Sequence, residues 1–107
     1  MTDCSKVKKI KTIEELNFRR KLCKNYKYIS IKNFDLSNKN FEGENFSYSN
    51  LQNVKFNNSN LNDAIIRESK LEGADFTGAK TFNTKFEKST FNDKTKGLIE
   101  NYYDKNI

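Results

Sequence analysis

Through the middle of this chain an apolar side chain returns at every fifth residue. Stepping by five from Ile31 meets Leu36, Phe41, Phe46, Leu51, Phe56, Leu61, Ile66, Leu71, Phe76, Thr81, Phe86 and Phe91, and only Thr81 breaks the series. Between Ile29 and Asp93 the other Phe, Leu and Ile residues are Ile29, Phe34, Ile65 and Phe82, so the spacing is not a by-product of composition. Neither the 3.6-residue period of an amphipathic helix nor the alternation of a half-buried strand produces it. A fixed short period over so many units instead marks a repeat architecture, in which each unit buries its apolar face only against its neighbours.

A second pattern runs two residues ahead of the first. Ser49, Ser59, Ala64, Ser69, Ala74, Ala79, Thr84 and Ser89 are all small, with Val54 the one interruption. One large and one small inward residue per pentad suits a chain that turns a corner after each unit. Four pentads then close a coil of twenty residues around a narrow square bore, and coils stack at roughly 4.8 Å through backbone hydrogen bonds. Three positions of every pentad face solvent. That arrangement reconciles a hydrophobic content of only 35% with folding, which so polar a chain often fails to achieve.

A third element completes the motif: Asn or Asp directly precedes the large residue in Asn40-Phe41, Asn45-Phe46, Asn50-Leu51, Asn60-Leu61 and Asp75-Phe76. With Gly73-Ala74-Asp75-Phe76-Thr77 as a near-consensus unit, the segment resembles the pentapeptide-repeat family. The resemblance covers a little over half the chain and implies an all-β solenoid, a right-handed quadrilateral β-helix, here of about three coils with short N- and C-terminal capping helices. Stacking by twenty sets Leu36 under Phe56 and Phe76, Phe41 under Leu61 and Thr81, Phe46 under Ile66 and Phe86, and Leu51 under Leu71 and Phe91.

Some positions depart from the motif. Phe34, Lys39 and Glu44 occupy the small-residue position, and an unpaired charge does not sit in a dry bore, so the first coil is expected to be irregular or widened there. At Thr81 the apolar residue has slipped to Phe82, either turned outward or refilling the column. Ile65 is expected to lie exposed on a face.

A stacked coil leaves an apolar disc and unpaired backbone at each end, so caps are required. One domain of 107 residues divides accordingly: 1–11 a basic flexible arm, 12–25 a capping helix, 26–92 the repeat, and 93–107 a C-terminal helix. Thr12 with Glu15 forms a capping box, from which Ile13, Leu16, Leu22 and Cys23 cover the first coil. Asp93 is the expected cap of the last helix, whose Leu98, Ile99, Tyr102 and Tyr103 form an apolar stripe. That stripe closes the last coil, or additionally pairs two copies as a homodimer through the C-terminal end.

Chemistry-bearing patterns are lacking. The sequence has no histidine, no metal-ligand spacing, no Gly-rich phosphate loop and no nucleophile motif, so neither catalytic nor metal-binding residues are assigned, no cofactor or small-molecule substrate is expected, and the chain reads as non-enzymatic. Cys4 and Cys23 match no metal or CxxC pattern. With no apolar leader after Met1 and no membrane-length apolar run, the expected address is cytoplasmic, where both cysteines stay reduced; an oxidised preparation would instead link copies through Cys4.

The net charge of +6 is uneven. Residues 1–33 hold ten Lys/Arg against three acids, giving +7, and residues 34–107 hold ten against eleven, giving −1. Lys6, Lys8, Lys9, Lys11, Arg19 and Arg20 are therefore the candidate anion-binding residues, able to attract nucleic acid or an anionic membrane. The expected function is a protein-interaction or scaffold module with an unknown protein partner. The family resemblance adds an alternative, since some members act as DNA mimics that bind type II topoisomerases such as gyrase.

Overall fold

The computed structural model describes residues 3–98. Three short regular elements come first: strand β1 (Lys8–Lys9), helix α1 (Ile13–Cys23) and strand β2 (Ile29–Ser30). From Ser30 onward the chain coils, and each turn touches the next through parallel bridges twenty residues apart. These form four ladders, one per side: Ser30–Asn50–Lys70–Thr90, Asp35–Lys55–Asp75–Lys96, Asn40–Asn60–Lys80 and Asn45–Ile65–Lys85.

The large residue of each pentad points into the bore. Ile31, Leu36, Leu51, Leu61, Ile66 and Leu71 are fully buried, as are Phe46, Phe56, Phe76 and Phe86, while Phe41 is 4% exposed. The rings pack as a connected column: Phe56 stacks on Phe76 at 5.3 Å, and Phe46 meets Phe56 edge-on at 5.7 Å. Below Phe46, Tyr26 stacks at 4.6 Å and closes that column. Phe91 and Ala79 are only half-buried, because both stand on the last rungs of their columns.

Hydroxyls in the bore satisfy backbone groups of the preceding coil. The Ser69 hydroxyl accepts from the Ser49 N–H at 3.1 Å and donates to the Phe46 carbonyl at 3.0 Å. Ser49 does the same for Ile29 N–H and Tyr26 C=O, and Ser59 for Lys39 N–H and Leu36 C=O. Ser89 bridges Ser69 N–H and Ile66 C=O. Where the residue above is Ala or Val, the same N–H closes its own turn instead, as Val54 does on Leu51 C=O at 3.2 Å and Ser59 on Phe56 C=O at 3.1 Å. Thr84 shares the Leu61 carbonyl with the Ala64 N–H.

The position two after each large residue takes a left-handed backbone. Asn33, Asn38, Asn53, Asn58, Asp63 and Asn83 all have φ near +60°, and Gly43, Gly73 and Gly78 fill the same place. Asn, Asp and Gly tolerate that conformation best, which accounts for much of the chain's asparagine. Tyr48, Glu68 and Lys88 adopt it too, stacked in the column of Phe46, Ile66 and Phe86.

The N-terminus departs from a flexible arm. β1 pairs in parallel with β2, Lys8 opposite Ile29 and Lys9 opposite Ser30, and adds a rung beneath the Ser30 ladder. Ile10 is 5% exposed: its burial, with hydrogen bonds from Lys8 N–H to Tyr28 C=O and Ile10 N–H to Ser30 C=O, fixes the segment. Cys4 and Cys23 form a disulfide across this cap and are not free thiols; pairing of β1 brings their Cα atoms to 5.8 Å.

Helix α1 begins at Thr12, whose hydroxyl accepts the Glu15 N–H at 3.1 Å, while the Glu15 carboxylate accepts the Lys11 N–H at 3.2 Å. It ends at Lys24, in the left-handed conformation. Leu16 is buried and Ile13 packs on the core, but Leu22 is 46% exposed and does not cover the coil; its face of the helix, shared with Phe18 four residues earlier, points away.

The charged departures leave the coil regular. Lys39 is exposed at the rim, and the Glu44 carboxylate meets Arg20 Nε at 3.1 Å through both oxygens. Neither widens the coil, whose bridges at Asn40 and Asn45 are unbroken. Phe82 turns outward, 79% exposed, and Ile65 is half-buried within its ladder instead of fully exposed.

At the far end, Asp93–Leu98 is not helical. Thr95 accepts the Asn92 N–H at 3.2 Å and donates to Leu71 C=O at 2.9 Å, so the chain turns and Lys96 continues the Asp75 ladder. The step is twenty-one residues, one more than elsewhere. Leu98 packs partly against the core; Ile99, Tyr102 and Tyr103 lie outside the described residues.

Candidate interaction surfaces

The outer faces follow from what the turns need. Asn or Asp before the large residue accepts the N–H two residues on: Asn45 from Ser47 at 2.9 Å, Asn60 from Asn62 at 3.0 Å, and Asp75 from Thr77 at 2.9 Å. This Asx geometry is the physical content of the motif's third element. The Thr77 hydroxyl also donates to Asp75, and that hydrogen bond leads the causes holding the Asp75 carboxyl below its ordinary range, followed by burial, which opposes it, and by the Thr77 N–H. Ser37 does the same for Asp35.

Charge alternates up the ladder Asp35, Lys55, Asp75, Lys96. Neighbouring sides carry Gln52 donating to Glu72 at 3.3 Å, Arg67 beside Glu87 at 3.2 Å, and Asn83 donating to Asp63 at 2.7 Å. Each side is thus a mixed polar surface with fixed spacing. On one corner Tyr28 and Tyr48 stack at 5.0 Å, with Lys27 Nζ 5.7 Å and 5.8 Å from the two ring centroids.

The candidate anion-binding residues split into two groups. Lys6, Lys8, Lys9 and Lys11 are exposed. Arg19 is 3% exposed and donates to Lys6 C=O at 3.1 Å and Tyr28 C=O at 3.4 Å, and Arg20 is held by Glu44; both arginines are structural cations of the cap and are not available to a nucleic-acid backbone. Beside them lies a groove of about 450 Å³ between β1 and α1, with Lys8 and Ile10 on one wall and Glu14, Glu15, Phe18, Arg19 and Leu22 on the other. It escaped the sequence reading because α1 shows no single apolar stripe: Leu16 faces the core while Phe18 and Leu22 face out. Among the described residues no group of three or more His, Cys, Asp or Glu side chains is placed to hold a metal, and no helix is long and apolar enough to cross a membrane.

A square coil bridged at intervals of twenty, with a large and a small residue inward from each pentad, defines a quadrilateral β-helix. The family model described as Pentapeptide repeats matches in eight copies over residues 31–63 and 45–80, and the chain belongs to the pentapeptide-repeat family. The fold is similar to the crystal structure of Rfr23, a pentapeptide-repeat protein of the cyanobacterium Cyanothece 51142, with a TM-score of 0.65 and 24% identity over 67% of this chain and 49% of that one. The right-handed quadrilateral β-helix is thereby shown. HetL, a pentapeptide-repeat protein involved in heterocyst differentiation regulation from Nostoc sp. strain PCC 7120, aligns with a TM-score of 0.48 and 19% identity over 78% of this chain and 38% of that one. The chain spans about half the length of Rfr23 or less of these solved structures. No curated protein matches it.

Proposed function

We propose that this chain is a non-enzymatic protein-interaction or scaffold module, a rigid post whose outward side chains are read by a protein partner. Its family is generally non-catalytic. The observation that carries the reading is the division of labour within the pentad: bulky residues from Ile31 to Phe86 are spent on the bore, and the outward positions form ladders whose spacing the backbone sets. Such preorganised side chains lose little entropy on binding. The alternation along Asp35, Lys55, Asp75 and Lys96 offers neither the continuous acidic track of a DNA mimic nor the continuous basic track that a phosphate backbone needs. The Cys4–Cys23 disulfide supports an oxidising compartment, lumenal or periplasmic, over the cytoplasmic address.

The test is affinity capture from the native source with the full chain, beside a variant carrying Lys55→Glu and Lys85→Glu on two exposed faces. A partner retained by the wild type and lost by the variant is expected. Salt-dependent binding to DNA or to anionic vesicles that vanishes with Lys8→Gln and Lys9→Gln, and no face-dependent partner, would replace this reading with attachment through the basic cap.

A further inference from the structure

The outer edge of β1 is an open strand edge. Parallel pairing with β2 directs the Lys8 and Ile10 N–H groups toward the coil, onto Tyr28 and Ser30 carbonyls. The Val7 and Lys9 N–H groups point the other way, and among the described residues neither meets an acceptor. Natural sheets cover or pair such an edge, because it templates another strand. Here the edge opens onto the groove, whose far wall presents Phe18 and Leu22, 66% and 46% exposed. They stand four residues apart on one face of α1. Val7, 61% exposed, stands on the opposite face of β1, beside Ser30 and Tyr48.

Charge selects among strands that might dock there. Lys8 stands in the groove wall beside the buried Arg19; among the described residues the Arg19 Nε has no hydrogen-bond partner and no carboxylate lies within ion-pair distance of its guanidinium. Lys9 and Lys11 flank the same edge and are exposed. Glu14 and Glu15 line the opposite wall, so a uniformly acidic segment would be repelled there, whereas one alternating carboxylates with apolar side chains would not. Such alternation is also what a strand presents: successive residues face opposite sides. The walls are tied together beforehand, since the Cys4–Cys23 bond closes β1 and α1 into one ring and holds the groove at a set width, which lowers the entropy lost on docking.

We infer that β1 accepts an extended acidic–apolar peptide segment of a partner protein as a further rung, its backbone on the Val7–Lys9 edge, its apolar side chains against Phe18 and Leu22, and the carboxylates of the alternate residues on the other face, toward Lys9. This rests on the interaction-module reading and names the surface and partner chemistry within it. A displayed library of random eight-residue peptides, panned against the oxidised full chain, tests it. The expected consensus alternates Asp or Glu with Val, Ile or Leu, and a synthetic peptide of that consensus binds about tenfold more weakly to a Phe18→Ser, Leu22→Ser variant. N-methylation of the peptide backbone on alternate residues, and reduction of the disulfide, each weaken it as well. Phe18 and Leu22 are exposed, so the variant keeps its fold, which a thermal melt verifies. A consensus without carboxylates, binding indifferent to the Phe18 and Leu22 changes, groove-dependent adsorption to anionic vesicles, or groove-dependent self-association would each overturn the inference. Partner capture that depends on Lys55 and Lys85 and ignores the groove would defeat this inference while leaving the interaction-module reading standing.

Discussion

Replacing Ser69 by Ala deletes one oxygen atom from the bore and breaks a bridge between two backbone groups. In the native chain the Ser69 hydroxyl stands between the Ser49 N–H and the Phe46 C=O, at 3.1 Å and 3.0 Å. Without it both groups lose their partner inside a buried site, where Ser49 itself is 4% exposed. An orphaned buried donor costs about 1–3 kcal/mol. Partial relief is available, because the same two groups bond directly wherever Ala or Val stands above, as in the Val54 to Leu51 turn. That relief exchanges two hydroxyl bonds for one turn bond, a net loss of one hydrogen bond and about 1 kcal/mol. The expected destabilisation therefore lies between about 1 and 3 kcal/mol. In a domain of this size it lowers the melting temperature by roughly 4 °C or more. Urea titration followed by far-ultraviolet dichroism measures it, and amide exchange at Ser49 locates it: the native amide is protected and the variant amide exchanges faster. A variant within about 0.5 kcal/mol of wild type, with Ser49 exchange unchanged, would refute the bridging role.

Phe56→Asp places a carboxylate between the Phe46 and Phe76 rings, at a cost of several kcal/mol against a total stability of about 5–15; an absent cooperative melt is expected, and a normal one would disprove the inward assignment. Gly97→Ala sets a methyl 2.3 Å from the Phe76 carbonyl carbon and the Thr77 nitrogen at φ +86°. Because those are backbone atoms, the last rung is expected to detach, seen as loss of amide protection at Phe76 with the earlier coils unaffected. Asp35 and Asp75 have folded pKa values depressed by the Ser37 and Thr77 hydrogen bonds. Their contribution is fully present above the unfolded value of about 3.9 and is lost as pH falls through the lower folded values. The melting temperature should thus hold down to about pH 4 and fall below it, with a shallower fall in Asp75→Asn. Reducing the Cys4–Cys23 link, which joins residues 19 apart, frees a closed loop worth about 3 kcal/mol in the chain-entropy account; dithiothreitol should lower protection at Lys8 and Ile10 first, and an unchanged exchange pattern would show that β1 holds without it.

The five-residue interval decided most of the architecture before any coordinates, because a side chain returning at each corner can be buried only along the axis of a square coil. The columns through Phe56 and Phe76 and through Leu51 and Leu71 follow from that alone, as does the outward turn of Asn57 and Lys55. Residues that obey a local rule were legible too: Thr12 and Glu15 at the start of α1 act on neighbours within one helical turn. The groove, the disulfide and the docking of β1 were not, because each depends on bringing together segments up to 21 residues apart that share no local period. Arg19 and Arg20 read as a free basic patch for the same reason: only tertiary packing turns one toward the Lys6 and Tyr28 carbonyls and the other toward Glu44.

The hydroxyl bridges show where the boundary lies. That position 49 is small could be read from its own pentad. Whether its N–H closes its own turn was decided by position 69, a full coil later, since only a hydroxyl arriving from the next rung can enter between the donor and the acceptor. Period alone determined which side chains go in; contact between coils decided how the backbone between them is bonded.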